Sequence, residues 1–320
     1  MSVRRVRHLV SGVLRWPFEW LGIAVALLVF LPLTRRALWR VCDVISFGYW
    51  LFDRNGRRAA HENLQTIGRT RRVPHPLSAA AERRIVRRAY RNMTRTVGFA
   101  FWACVRARSR AAETGFLSEP ARTFLSQNRP AVTVSAHLGC WEILSQLAFL
   151  AGHPMLSVAK NIGTGGMTWL LKCARRSIGQ EIVSAEGAFQ PLMNGLKAGK
   201  SLGLLVDQRV SPRKGGQWIL FFGRPIAVSA APAFFSAKAK APIIVAWSHP
   251  FKDGRYRCDL IRTYDAQAAR DIWGLTQSIA SDLEKVIRRH PSCWVLNYEY
   301  FSRHITNEER ERLEARLQKR

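Results

Sequence analysis

A histidine and a glutamate five positions apart follow an apolar segment near the middle of the chain. This segment, at residues 131–136, is typical of a buried strand, and His137, Gly139 and Glu142 come directly after it. Side chains five apart on one continuous helix point about 140° away from each other, but a strand-to-helix turn at Gly139 would let Glu142 reach His137. The pattern predicts a general-base pair, in which Glu142 orients the imidazole and His137 accepts a proton from a hydroxyl group.

A second acidic residue, Asp207, follows another apolar segment, at residues 201–206. The carboxyl ends of parallel strands are where α/β proteins bind ligands, so Asp207 lies where a site is expected. A turn-forming role is the alternative, since aspartates often end strands. Arg209, Arg213 and Lys214 form a basic loop just beyond it that could hold a phosphate or another acidic group.

From residue 131 onwards, short apolar segments alternate with helical patterns. Such alternation predicts the α/β class, with a mostly parallel sheet flanked by helices. Strands are expected at residues 131–136, 155–159, 181–184, 201–206, 242–247, 255–264 and 293–300, and helices at residues 141–150, 167–178, 190–198, 231–240 and 271–289.

Two regions precede this core and one follows it. We predict an N-terminal membrane-anchoring helix in residues 1–45, a basic helical region in residues 46–130, the α/β core in residues 131–305 and a charged helical tail in residues 306–320. The basic region contains an amphipathic helix from Ser78 onwards, with arginines on its polar faces. Those faces are equally compatible with solvent and with an anionic lipid surface.

The predicted anchor is based on an uncharged segment of fourteen residues, at positions 20–33, with arginines on both sides. A spanning helix needs about 20 apolar residues, so the segment is expected either to span the membrane or to lie in its interface. A buried core helix is the alternative. The many arginines that follow place the rest of the chain on the cytoplasmic side.

Composition limits the classes of protein that fit. The chain has 320 residues, 48% of them hydrophobic, and its 50 Lys and Arg against 22 Asp and Glu give a net charge of +28. This apolar content excludes intrinsic disorder, and the charge requires an anionic partner: a nucleic acid, a membrane surface or a phosphorylated substrate. The six cysteines show neither zinc-ligand spacing nor a disulfide framework, so no metal site is expected.

Four motifs along the chain resemble those of the lipid A biosynthesis acyltransferase family, the lauroyl and myristoyl transferases of the lysophospholipid acyltransferase superfamily. They are Arg-Arg-Ala-Ala-His-Glu-Asn-Leu at residues 57–64, His-x-Gly-x-Trp-Glu at residues 137–142, the glycine, strand and Asp-Gln at residues 199–208, and Phe-Phe-Gly-Arg-Pro at residues 221–225. The resemblance covers roughly residues 15–300.

The resemblance implies transfer of a fatty acyl group from an acyl carrier protein thioester, or from acyl-CoA, to a hydroxyl of a lipid A precursor. The reaction would take place at the inner membrane, with the catalytic domain facing the cytoplasm, and would need no cofactor. His137 would deprotonate the acceptor hydroxyl with Glu142 as its orienting partner. Backbone N–H groups near the helix start would stabilise the oxyanion.

The same resemblance implies substrate-binding residues. The family uses an arginine after its second helix, which Arg175 or Arg176 matches, and Arg176 is preferred because it is closer to Gly179. It also uses the aspartate that matches Asp207, and Arg209 is expected to bind an acidic group beside it. A lysophospholipid or a phosphatidylinositol-mannoside-type lipid is the alternative acceptor. The remote alternative is a basic nucleic-acid-binding protein, although the sequence contains no helix-turn-helix, zinc or RNP-type pattern.

Overall fold

The computed structural model describes residues 3–30, 32–69, 77–106, 114–127, 129–159, 165–251, 255–301 and 305–318. Its first four elements are the helices α1 (Val3–Phe30), α2 (Arg35–Phe52), α3 (Arg54–Arg69) and α4 (Ala79–Arg106). The elements that follow are β1 (Gly115–Leu117), α5 (Glu119–Leu125), β2 (Val132–Ser135), α6 (Trp141–Leu150), β3 (Met155–Ala159), α7 (Gly166–Ser177), β4 (Gln180–Ser184), α8 (Phe189–Lys197), β5 (Ser201–Leu205), β6 (Gly216–Phe221), β7 (Arg224–Ser229), α9 (Ala231–Ala239), β8 (Ile243–Pro250), β9 (Tyr256–Tyr264), α10 (Ile272–Arg289) and α11 (Asn307–Gln318).

Seven strands form one sheet in the order β1-β9-β8-β2-β5-β3-β4. The pair β8–β9 is antiparallel and the other neighbouring pairs are parallel, while β6 and β7 form a separate hairpin. Hydrophobic clusters lie on both faces of β8, because Val245 packs into one cluster and Ala246 into another. Strands buried on both faces are apolar throughout, which explains the continuous apolar segments in the sequence. The predicted mostly parallel sheet with flanking helices is confirmed.

The N-terminal helices form a layer that supports one end of the sheet. Leu38 of α2 and Phe99 of α4 are buried in the same hydrophobic cluster as Ile143 of α6. Thr96 of α4 also donates a hydrogen bond from its hydroxyl to the carbonyl oxygen of Gly139 (3.1 Å). The basic helical region therefore packs directly on the turn between β2 and α6.

Helix α1 contacts the start of α7. A carboxylate oxygen of Glu19 accepts a hydrogen bond from the backbone N–H of Met167 (2.9 Å), and the rings of Trp20 and Trp169 lie 5.3 Å apart. Within the described ranges, no helix has an apolar stretch of the length needed to cross a membrane. The membrane anchor expected in residues 1–45 stays a prediction.

Several elements differ from those expected from the sequence. Residues 293–300 form no strand: a short turn (Pro291–Cys293) is followed by a single bridge between Trp294 and Leu138. Helix α3 lies within the predicted basic helical region, and residues 70–76 of that region lie outside the described residues. Strand β1, helix α5 and the hairpin β6–β7 were not anticipated.

Candidate active site

The turn between β2 and α6 holds His137 at the carboxyl edge of the sheet. Gly139 has a φ of +66°, and a Cβ at this position would lie 1.6 Å from the carbonyl oxygen of Ser248, so only glycine fits. The N–H of Gly139 donates to the carbonyl of Cys293 (2.7 Å), and the N–H of Val295 donates to the carbonyl of His137 (3.0 Å). The predicted strand-to-helix turn at Gly139 is confirmed.

The register of two neighbouring strands places His137 beside Asp207. Strands β2 and β5 are parallel, with Ser135 opposite Leu205. His137 and Asp207 each lie two residues beyond this pair, and Nδ1 of His137 is 2.8 Å from Oδ1 of Asp207. Nε2 of His137 has no hydrogen-bond partner among the described residues, and the imidazole is 21% exposed. The ring is therefore held at one nitrogen and accessible at the other.

Asp207 is a fully buried carboxylate with several hydrogen-bond donors. Its Oδ2 accepts from Nε1 of Trp294 (2.9 Å) and from the hydroxyl of Tyr300 (3.2 Å). Burial alone would raise the pKa of Asp207, but the charge of His137 and the hydrogen bonds from His137 and Trp294 outweigh it and lower the pKa below its ordinary value. Asp207 is therefore ionised, and an ionised partner at Nδ1 fixes the tautomer and orientation of His137.

Glu142 makes no hydrogen bond with His137, which corrects the contact expected from their spacing. Its carboxylate is bound instead by Arg175 of α7, with Nη2 at 2.8 Å from Oε1 and Nε at 3.2 and 3.1 Å from the two oxygens. Nε1 of Trp141 also donates to Oε1 (3.2 Å). The physical reason is that α6 and α7 both pack against α4, which brings the guanidinium of Arg175 to Glu142, while the end of the neighbouring strand β5 places Asp207 beside His137.

Arg175, rather than the preferred Arg176, lies in the site. Burial would lower the pKa of Arg175, but the charge and hydrogen bonds of Glu142 raise it above its ordinary value, so Arg175 is ionised. Arg176 is exposed and is not among the residues that line the site. Neighbouring residues on a helix point about 100° apart, so only one of the two can face α6. Arg209 is exposed at the rim of the site.

His137, Glu142 and Arg175 line one cleft with a volume of about 1110 Å³. Its walls combine positive charge with apolar side chains. The cationic residues are Lys172, Arg175, Arg209 and Lys214, and the large apolar ones include Trp141, Leu144, Leu171, Phe189, Leu192 and Phe235. The cleft can therefore accept a molecule that is anionic at one end and apolar at the other, next to an accessible imidazole nitrogen.

A sequence model of bacterial lipid A biosynthesis acyltransferases matches residues 6–301, which is most of the chain. The chain belongs to the bacterial lipid A biosynthesis acyltransferase family. No curated protein sequence matches it significantly. Family membership confirms the resemblance carried by the four motifs and makes the protein an acyltransferase of lipid A biosynthesis in general. It also favours acyl transfer over the nucleic-acid-binding alternative.

Two motifs of this acyltransferase support the site without lining it. In the first motif, Nδ2 of Asn63 donates to the carbonyls of Leu296 (2.8 Å) and Tyr298 (2.7 Å), and so fixes the segment between Trp294 and Tyr300. The motif at residues 221–225 forms the turn of the β6–β7 hairpin, where Phe222 and Gly223 have φ of +50° and +69°. The first motif therefore fixes a backbone segment next to the site, and the second forms a tight turn.

The sequence analysis missed Trp294 and Tyr300 as site residues of the acyltransferase. Their rings stack with centroids 4.1 Å apart, and both donate to Asp207. The available signal was chemical, because a buried Trp or Tyr needs a hydrogen-bond partner for its polar atom. Both lie in residues 293–300, which were expected to form a strand, so hydrogen bonds from their side chains to Asp207 were not anticipated.

The turn between β2 and α6 of the acyltransferase also contains the Cys140 thiol and several backbone N–H groups. Cys140 is completely buried, and burial raises the pKa of its thiol far above the ordinary value, so it is not a nucleophile. The backbone N–H groups of Gly139, Cys140 and Ile143 donate to the Cys293 carbonyl, the Ser248 hydroxyl and the Cys140 carbonyl. These three groups are already satisfied, and the oxyanion role expected for backbone N–H groups near the helix start stays a prediction.

Proposed function

We propose that this acyltransferase moves a fatty acyl group from an acyl carrier protein thioester, or from acyl-CoA, to a hydroxyl of a lipid A precursor. His137 is the general base, and Asp207 is its orienting partner. The observation that carries the proposal is the hydrogen bond between these two residues at the edge of a cleft with cationic and apolar walls. In this proposal Asp207 takes the role that spacing had suggested for Glu142.

The proton follows a path that this geometry supports. With Nδ1–H donated to Asp207, Nε2 of His137 carries the lone pair that accepts the proton of the acceptor hydroxyl. The hydroxyl oxygen then forms a bond to the thioester carbonyl carbon. When the tetrahedral intermediate collapses, the C–S bond breaks and His137 returns the proton to the leaving thiolate. The step needs no covalent acyl-enzyme.

Arg175 supplies the positive charge that is paired with Glu142, the acid of the motif. Glu142 accepts hydrogen bonds from its Nε and Nη2, while Nη1 has no partner among the described residues. We therefore assign Glu142 a positioning role: it holds Arg175 in the cleft with one N–H edge available. Arg175 then stabilises the negative charge that develops on the thioester oxygen.

The composition of the cleft supports an anionic glycolipid acceptor and an acyl donor. Arg209 and Lys214 at the rim suit the phosphate groups of an acceptor or of the carrier's prosthetic arm. The aromatic and aliphatic wall formed by Trp141, Phe189 and Phe235 suits a hydrocarbon chain. A nucleotide-sized polar ligand would leave this apolar wall unused.

The proposed location is the inner membrane, with the catalytic domain facing the cytoplasm. Helix α1 supports it with a stripe of exposed apolar side chains at helical spacing. The exposed members of the stripe are Phe18, Leu21, Val25, Leu28 and Val29. A helix of this kind can lie in the membrane interface with its apolar stripe turned to the lipid.

Mass spectrometry of the products tests the proposed reaction. Purified protein is incubated with an acyl carrier protein thioester and a lipid A precursor, beside the His137→Ala variant. The expected product is the precursor with one additional acyl ester, and it should be missing with the variant. If only a lysophospholipid or a phosphatidylinositol mannoside is acylated, the proposed acceptor is wrong and that lipid takes its place. The absence of any acyl ester would contradict the proposed reaction.

A further inference from the structure

A second cleft lies between α2 and α4 and shares no lining residue with the active-site cleft. Its volume is about 510 Å³. Five arginines of α4 line it at helical spacing, together with two aromatic residues of α2. We call it the arginine cleft, and these lining residues are Arg83, Arg84, Arg87, Arg88, Arg91, Phe47 and Trp50.

The charges of the arginine cleft are not balanced by carboxylates. None of its five arginines forms an ion pair with a described residue. The one acidic lining residue, Asp43, is already bound by Arg95 through two hydrogen bonds of 2.7 and 2.6 Å. Arg87 stacks on Trp50, with its Cζ 4.2 Å from the ring centroid. Five guanidinium groups therefore converge on one cleft with no internal counter-charge.

An exposed apolar stripe of α2 runs beside the arginine cleft. Val44, Phe47 and Leu51 follow each other at helical spacing and are 74%, 53% and 49% exposed. Phe52 is 81% exposed and Ile45 extends the same surface. Phe47 belongs to both the stripe and the cleft, so the two surfaces are continuous. Adjacent large apolar side chains in contact with water indicate an interaction surface.

We propose that the arginine cleft and the α2 stripe form one docking face for an anionic phospholipid bilayer. This inference rests on the proposed membrane location and adds a specific contact to it. Guanidinium groups bind phosphate oxygens in bidentate geometry, which suits the arginines to lipid headgroups. The stripe enters the boundary between headgroups and acyl chains. An acidic protein would match the arginines and leave the stripe in water, so the bilayer is the occupant that matches both.

Vesicle sedimentation with the full-length protein tests the docking face. Vesicles of phosphatidylcholine are compared with vesicles in which about one third of the lipid is phosphatidylglycerol. The variant Arg84→Gln/Arg87→Gln/Arg88→Gln should lose at least about tenfold in affinity for the anionic vesicles and little for the neutral ones. High salt should reproduce this loss in the wild type. The variant Val44→Ser/Phe52→Ser should weaken binding to both kinds of vesicle, independently of salt.

A matched control separates the cleft from net charge. The variant Arg270→Gln/Arg289→Gln/Arg310→Gln removes three exposed arginines elsewhere and should bind as the wild type does. An equal loss in this control would overturn the proposal.

Acyl transfer in detergent micelles distinguishes failure of the docking face from failure of the proposed reaction. The variant Arg84→Gln/Arg87→Gln/Arg88→Gln should keep wild-type acyl transfer there. If it instead loses transfer from the acyl carrier protein and keeps vesicle binding, the cleft is a carrier-docking surface and the bilayer proposal is wrong.

Discussion

Nδ1 of His137 lies 2.8 Å from Oδ1 of Asp207, and both residues follow paired strand positions by two residues. The pairing therefore follows from the register of β2 and β5. It turns a solvent-accessible histidine into one with a fixed tautomer and a single accessible nitrogen. Asp207 in turn accepts hydrogen bonds from the buried side chains of Trp294 and Tyr300, so these two residues help to fix the orientation of the imidazole.

The lowered pKa of Asp207 predicts how acid affects stability. A carboxylate whose pKa is lower in the folded state stabilises the fold above the unfolded pKa, and this contribution is lost as pH falls through the folded pKa. We expect Asp207→Asn to reduce the free energy of unfolding by about 2 kcal/mol at neutral pH, because charge-assisted hydrogen bonds are lost. The difference from wild type should shrink below the ordinary aspartate pKa of 3.8. Urea unfolding at a series of pH values measures it, and a constant difference across that range would contradict the assignment.

The ion pair of Glu142 and Arg175 links α6 to α7 and is expected to stabilise the fold. Removing one member leaves a buried charge without its partner, so Glu142→Ala should cost about 3 kcal/mol. The double variant Glu142→Ala/Arg175→Ala should cost less than the sum of the single variants, with a coupling of about 1–3 kcal/mol. Urea unfolding of the three variants gives this coupling.

The exposed pair of Arg58 and Glu62 provides a matched control for this cycle. Their side chains are 75% and 47% exposed, so the same double-mutant cycle should give a coupling of at most about 1 kcal/mol. Additive costs for Glu142 and Arg175, or equal coupling in both pairs, would show that the buried pair does not hold the two helices together.

Cys140 is expected to have no chemical role despite its position beside His137. Burial keeps the thiol protonated, so Cys140→Ser should leave kcat within about a factor of two of the wild type. Steady-state acyl transfer measures this, with melting temperature as the control for folding. A complete loss of turnover in a folded Cys140→Ser protein would show that the thiol takes part in catalysis.

Much of the fold was predictable because it follows local patterns. The strands at residues 131–136 and 201–206 were recognisable from their apolar runs, and their carboxyl ends were the expected place for His137 and Asp207. Gly139 was recognisable as the residue that permits the turn. Each of these inferences depends on residues close together in the sequence.

The pairing of the site residues was not predictable because it depends on strand order and helix phase. Strands β2 and β5 are neighbours in the sheet although β3 and β4 lie between them in the chain, so nothing local connects His137 with Asp207. The partner of Glu142 depends on how α6 and α7 are placed by their packing against α4. A shift of one residue along α7 separates Arg175 in the cleft from Arg176 in solvent.

The pH dependence of kcat/KM for acyl transfer tests the central claim most directly. Loss of a general base costs about 10²–10⁴-fold, so His137→Ala should lose activity on this scale. Asp207→Asn should lose about 10²-fold or more. The amide of asparagine carries N–H donors, which either face the N–H donor of Trp294 or stabilise the wrong tautomer of His137. For Glu142→Gln, kcat/KM should decline at acid pH as it does in the wild type, even if the variant has a different KM. The account is contradicted if Asp207→Asn keeps the wild-type rate and profile while Glu142→Gln abolishes the acid-side decline.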